Sequence, residues 1–291
     1  MIYLTLVNIM IVRLVCHLFA IGLLPAWGLG QQVPSKPAPP SIQDNSFLIE
    51  EAYNQEAGVV QHISSFARFI DSKDWVYTFT QEWPAPRNPR HQFSYTLAVL
   101  HFGAFPRSAA GIGDILLNYR YQVAGNAESR VAFAPRFSLI CPTGQTTAGT
   151  GAGGLGVQTN LPLSVVVSRK FVTHWNAGVT FIPHSQNSLG DRAFSTGYNF
   201  GQSLIFLAHP RLHALVETVF IRVQSVVESD KTQWSHSFYV NPGIRWAYNF
   251  SSGLQIVPGV SVPIGVGPGY GEKGIFLYLS FEHPFRYTQE E

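Results

Sequence analysis

Between Gly113 and Ala124 apolar and polar residues take turns: Ile115, Leu117, Tyr119, Tyr121 and Val123 fall on one face, and Asp114, Leu116, Asn118, Arg120 and Gln122 on the other. A period of two is that of an extended strand with unlike faces. The pattern returns along the chain and predicts twelve strands, at 59–69, 74–83, 91–102, 113–123, 130–140, 156–169, 174–182, 197–207, 212–224, 236–249, 254–266 and 274–285. In the tenth, Phe238, Val240, Pro242, Ile244, Trp246 and Tyr248 oppose Tyr239, Asn241, Gly243, Arg245 and Asn249. In the ninth the phase breaks at Glu217, between Leu215 and Val219, and a bulge is expected there. Pro242, Pro258 and Pro263 weaken the ladders they fall in, since proline has no N–H to donate. Two architectures use such strands: a soluble sandwich, whose apolar faces meet, or a transmembrane barrel, whose apolar faces meet lipid.

The connections separate the two. Those after the third, fifth, seventh and ninth strands are long (103–112, 141–155, 183–196 and 225–235), and those between them are short turns such as His209–Arg211 and Phe250–Gly253. Short periplasmic turns and longer outer loops are the asymmetry of outer-membrane barrels. With that orientation Trp83, Phe93, Tyr119, Tyr121, Trp175, Trp246, Tyr248 and Phe281 fall near the periplasmic strand ends on the outward phase, where amphipathic rings favour the interface. The expected fold is all-β: a transmembrane antiparallel up-and-down barrel of about 12 strands over residues 58–291, with a short N-terminal helix or plug.

The ends agree with export. Residues 1–30 hold no acidic residue and run apolar from Ile2 to Leu29, as a signal peptide does, with Gly28 and Gly30 placing the mature start at Gln31, or Ala26 and Gly28 offering a second site. Met10 is an alternative start that leaves Arg13 as the charged leader, and a membrane anchor is the competing reading of the same run. Residues 31–57 combine a Pro-rich linker with a predicted short helix over 44–56, capped by Asn45 or Ser46, with Leu48, Ile49 and Ala52 on one face. Beyond the signal only Cys141 remains, so no internal disulfide is available. Nineteen basic against 17 acidic residues give no electrostatic case for nucleic acid. A charged fraction of 12% beside 13% aromatic residues suits an outer surface that faces hydrocarbon.

Several motifs carry no chemistry. Gly149, Gly151 and Gly154 fit a dinucleotide-binding spacing, but a strand rather than a helix follows them. His101, His184, His209, His213 and His236 have neither a serine partner nor an acidic one at metal-ligand spacing, so the chain reads as no enzyme, with no metal and no cofactor. Charge on a lipid face is costly, which assigns Asp114, Asn118, Arg120, Arg136, Asn160, Arg222, Asn241 and Arg245 to the lumen, as a pore lining or as a salt-bridged filling. Leu100, Phe102, Leu116, Ile140 and Ile182 share that inward phase toward the outer strand ends and form a candidate apolar collar at the outer mouth.

The last strand, Glu272 to Phe281, resembles the C-terminal signal read by the outer-membrane barrel assembly machinery, with Gly274 followed by Leu277, Leu279 and Phe281 at alternating positions. Three further stretches, Asp44 to His62, Gly113 to Tyr121, and Phe137 to Gly156 with Pro142, Thr143 and Gly144, resemble the family of outer-membrane transporters named for the MetA pathway of phenol degradation. That resemblance covers most of the mature chain and implies a barrel in the bacterial outer membrane. By the family's name it implies passage of small solutes, hydrophobic or aromatic ones among them. It brings no catalytic residue. The expected partners are outer-membrane lipids, the assembly machinery and a small solute. Two other readings stand beside the channel: a structural or adhesion barrel with a filled interior, and an outer-membrane lipid-modifying hydrolase.

Overall fold

A computed structural model describes residue 42 and residues 46–103 and 108–284. The signal segment, most of the Pro-rich linker and the Asn45 cap lie outside the described residues. Twelve strands run antiparallel in chain order. They are β1 (Val59–Phe69), β2 (Trp75–Ala85), β3 (Asn88–Phe102), β4 (Ala109–Ile112 and Ile115–Tyr121), β5 (Val131–Phe133 and Arg136–Cys141) and β6 (Gly156–Asn160 and Leu163–Ser168). They continue as β7 (Phe171–Gln186), β8 (Arg192–His209), β9 (Leu212–Glu228), β10 (Lys231–Trp246 and Tyr248–Asn249), β11 (Gln255–Ser261 and Ile264–Gly265) and β12 (Gly274–Pro284). β12 pairs with β11 on one side and with β1 on the other, from Val59 opposite Pro284 to Phe69 opposite Gly274, so the sheet closes on itself. A closed sheet leaves no strand edge unpaired, the condition for spanning a bilayer with strands.

The breaks within strands have local causes. Pro135, Pro162 and Pro263 sit in the gaps of β5, β6 and β11. Between β10 and β11 the ladder runs over Gly243–Arg245, lapses where Pro242 faces Val262 and Asn241 faces Pro263, and resumes at Tyr239 and Val240.

The molecule is inverted relative to a soluble protein. Leu117, Phe137, Phe200, Leu204, Ile244 and Leu277 lie exposed on the outer face, while Gln61, Gln92, Ser203, Glu217, Asn241 and Arg245 are fully buried. Apolar groups outward and polar groups inward is the pattern that lipid selects.

Four expectations change. The stretches 183–196 and 225–235 are mostly strand, because β7 with β8 and β9 with β10 continue to turns at Asn187–Asp191 and Ser229–Asp230. No bulge occurs at Glu217: the β8–β9 and β9–β10 registers run unbroken through it, and Glu217 points inward together with Leu215 and Val219. Because a one-residue slip reverses every later side chain, the unbroken register turns Arg222 outward, in one row with Tyr198 and His236. The helix expected over 44–56 is absent from 46–56, which is irregular and extended.

Candidate functional site

Residues 46–56 run along the inner wall of the barrel, and polar side chains of the wall bind their backbone in place of a helix. Glu217 Oε1, on β9, accepts three successive amides: Phe47 N–H at 2.9 Å, Leu48 N–H at 2.9 Å and Ile49 N–H at 3.2 Å. Its Oε2 accepts from Asn241 Nδ2 at 2.8 Å. Farther along, Glu50 N–H donates to Asn176 Oδ1 on β7, and Asn176 Nδ2 returns a bond to the Glu50 carbonyl, both at 2.8 Å. Ala52 N–H donates to Ser164 Oγ on β6. Asn54 N–H donates to Gln122 Oε1, next to β4, and Gln55 N–H to Gln92 Oε1 on β3. Arg120 donates to the carbonyls of Glu51 (3.1 Å) and Tyr53 (2.8 Å) and to Asn54 Oδ1. Buried backbone groups need such partners, and each bond to a charged group contributes about 1.5–3 kcal/mol.

Side chains of the segment dock into gaps left by glycine. The Phe47 ring lies where Cβ atoms on Gly243 and Gly259 would come within 2.5 Å and 2.4 Å of it, and it packs on Phe276 and Tyr278. Ile49 fills the space above Gly201. With Ile42, Ile63, Ala67, Ile205, Leu215 and Val257 these rings form an apolar cluster inside the barrel.

One ion pair stands on the segment. Arg136 Nη2 is 2.6 Å from Glu50 Oε1, and Arg136 Nε donates to both Glu50 oxygens. Burial opposes the charge on Glu50, yet the guanidinium of Arg136, with Arg120 behind it, holds the carboxyl below the usual carboxylate range. A cavity lies on each side of this pair. The one of about 240 Å³ is walled by Ser65, Thr78, Thr80, Ser94, Thr96 and Asn118. The other, of about 320 Å³, is walled by Gln158, Asn160, Asn176, Thr180 and Asn199, with Leu48 and Glu50 shared between the two. The first wall is a ladder of hydroxyls, Ser65 with Thr78 at 2.6 Å and Thr80 with Thr96 at 2.9 Å. The second is a ladder of amides, Gln158 to Thr180 at 3.0 Å and Asn160 to Asn176 at 3.1 Å.

The residues singled out from sequence fall into three groups. Asn118, Arg120, Arg136, Asn160, Asn241 and Arg245 face inward, all buried except the half-buried Arg136. Asp114 sits in the interruption of β4 and ties down the outer loop, accepting from Gly144 N–H at 2.9 Å and Ala152 N–H at 2.8 Å. Arg222 is the exception: it faces outward, its guanidinium 4.5 Å over the ring of Trp234. Leu100, Phe102, Leu116, Ile140 and Ile182 take the inward phase, but all belong to β3, β4, β5 and β7 and so line one arc of the wall. In β12 Leu277, Leu279 and Phe281 face outward and Gly274 inward.

Glu217, Asn176, Ser164, Gln122 and Gln92 bind the inner segment without having been singled out as lumen residues. Their signal was a polar side chain at an inward position, hidden where apolar inward neighbours such as Leu215 blur the alternation. Ser164 Oγ also lies 2.7 Å from His174 Nδ1, a pair buried against Ala52 and Tyr53. Among the described residues no group of three His, Cys, Asp or Glu side chains is placed to hold a metal ion.

Together the closed wall, apolar outside and polar inside, defines an outer-membrane β-barrel. Among solved structures the chain is similar to an outer-membrane channel from Pseudomonas putida F1, with a TM-score of 0.58 and 12% identity over 80% of this chain and 97% of that one. It is also similar to the NanC porin, with a TM-score of 0.50 and 9% identity over 76% of this chain and 98% of that one. At these identities the likeness is one of fold, and the fold places the protein in the bacterial outer membrane. No protein-family model and no curated protein matches the sequence.

Proposed function

We propose that the barrel is a channel for small solutes, which pass beside the inner segment 46–56 or after it withdraws. The observation that carries this reading is the pair of cavities, about 240 and 320 Å³, that flank Glu50 and Arg136 inside a closed barrel, their walls combining the hydroxyl and amide ladders with apolar side chains such as Ile63, Leu116, Ile221 and Val223. The hydroxyl and amide ladders offer both donors and acceptors, and the charged groups beside them, Arg136 with Glu50 and Arg120 with Glu82, are paired, which suits solutes that form hydrogen bonds without net charge. The inward arc of Leu100, Phe102, Leu116, Ile140 and Ile182 supports solutes that also have a hydrophobic or aromatic face. The sequence resemblance to the transporters named for phenol degradation supports the same choice.

Planar-bilayer recordings and uptake into proteoliposomes test the proposal. We expect small conductance from the full-length protein, larger conductance once the segment is loosened, and uptake of small neutral solutes. A lumen that stays closed to ions and solutes in both forms would replace the channel with a filled structural barrel. That second reading draws its support from the apolar cluster packed around Phe47.

A further inference from the structure

Arg222 is a charge on the wrong face of the wall. It is exposed on the outward phase of β9, in one row with Tyr198 of β8 and His236 of β10. Its guanidinium stacks on Trp234, and that indole in turn stacks on Tyr198 with centroids 5.8 Å apart and planes 20° from parallel. Among the described residues no carboxylate and no hydrogen-bond acceptor meets it.

Height explains the position. Below Arg222 the outward residues of β9 are Leu212, Ala214, Val216, Thr218 and Phe220, a run with no charge. The ten steps from Leu212 to Arg222 climb about 25 Å, at ~3.3 Å per residue and a tilt of roughly 40°, which is the height of the apolar band of such barrels. Arg222 therefore stands where hydrocarbon gives way to headgroups, at the strand ends away from the chain termini. A similar set recurs on another arc. Arg68 of β1 lies opposite Trp75 of β2, and Trp75 stacks on His101 of β3 at 5.5 Å with the rings 1° from parallel.

We infer that Arg222, Trp234 and Tyr198 form a binding site for the phosphorylated sugar headgroup of lipopolysaccharide, the glycolipid of the outer leaflet. A guanidinium with its donors free pairs with phosphate through two parallel bonds. The stack on Trp234 holds the guanidinium in place, and the parts of the Trp234 and Tyr198 rings left outside their stacks lie beside it as apolar surface for the sugar. A phospholipid headgroup supplies the phosphate but no sugar ring for the aromatic faces.

Native mass spectrometry of the full-length protein, extracted from outer membranes in mild detergent, tests this directly. The wild type is expected to retain the glycolipid. In titrations it should bind purified bisphosphorylated lipid A at least about tenfold tighter than either dephosphorylated lipid A or phosphatidylglycerol. Arg222→Gln should lose most of that preference and Trp234→Ala part of it, with heat-modifiable migration confirming that each variant is folded. Equal retention by wild type and Arg222→Gln would overturn the site, and equal binding of phosphatidylglycerol would overturn the glycolipid as its occupant. If the variants fail to fold, the comparison of phosphorylated with dephosphorylated lipid A on the wild type decides alone, equal binding refuting the proposal.

Discussion

Glu217 shows what a single side chain does here. Its carboxylate gathers three consecutive backbone N–H groups of the inner segment, so removing it leaves those donors buried with no acceptor of equal strength. Each such bond contributes about 1.5–3 kcal/mol, and a net loss of ~3 kcal/mol changes the attached-to-detached ratio about 100-fold. Glu217→Ala is therefore expected to raise single-channel conductance, or the fraction of time spent open, without altering heat-modifiable migration; recordings identical to wild type would show that Glu217 does not anchor the segment. Gly259→Val should act in the same direction by a different route, because a Cβ there falls 2.4 Å from the Phe47 ring. Crosslinking between the segment and β9, measured in the same membranes, should drop with both substitutions. These roles were hard to see in sequence because Glu217 sits between inward Leu215 and Val219, where a polar residue resembles a phase break. Arg222 misled for another reason: the cost of charge in hydrocarbon argues for an inward face only at positions within the apolar band.

At the scale of elements, the alternation located all twelve strands, and several boundaries agree within a residue or two, as for β1 and β12. It failed at the outer ends of β7 to β10, from Pro183 to Gln186 and from Arg192 to Thr196, and again from Ser225 to Glu228 and from Lys231 to Ser235. Period two marks a strand only where its two faces meet different surroundings, and beyond the bilayer both faces meet water. The segment 46–56 misled for a related reason. Its Leu48, Ile49 and Ala52 spacing and polar lead suit a helix, but Glu217, Asn176, Ser164 and Gln92 satisfy its backbone from outside. Only the assembled barrel supplies those partners. Within the band the outward phase should resist charge: Leu277→Arg, on the lipid face of β12, is expected to cost about 2–4 kcal/mol in urea titrations of the barrel folded into vesicles. A cost near zero would place Leu277 outside the hydrocarbon.

The whole molecule is a closed wall around a bound inner segment. The wall is held by ladders that close from β12 to β1, whereas the segment 46–56 depends on side-chain bonds and on glycine gaps. Deleting residues 46–56 should leave a folded, heat-modifiable barrel with conductance several-fold above wild type. Loss of the barrel itself would instead make the segment part of its core. Beyond the wall, β9 and β10 rise past Arg222 to the two-residue turn Ser229–Asp230. With the chain termini on the periplasmic side that hairpin opens on the cell exterior, its tip tied to the neighbouring turn by Ser229 Oγ donating to Asp191 Oδ1 and Asp230 N–H to the Arg192 carbonyl, so it offers antibodies and phages a braced foothold above the membrane. A peptide tag spliced between Ser229 and Asp230 should be stained on intact cells while the channel beneath it conducts as before.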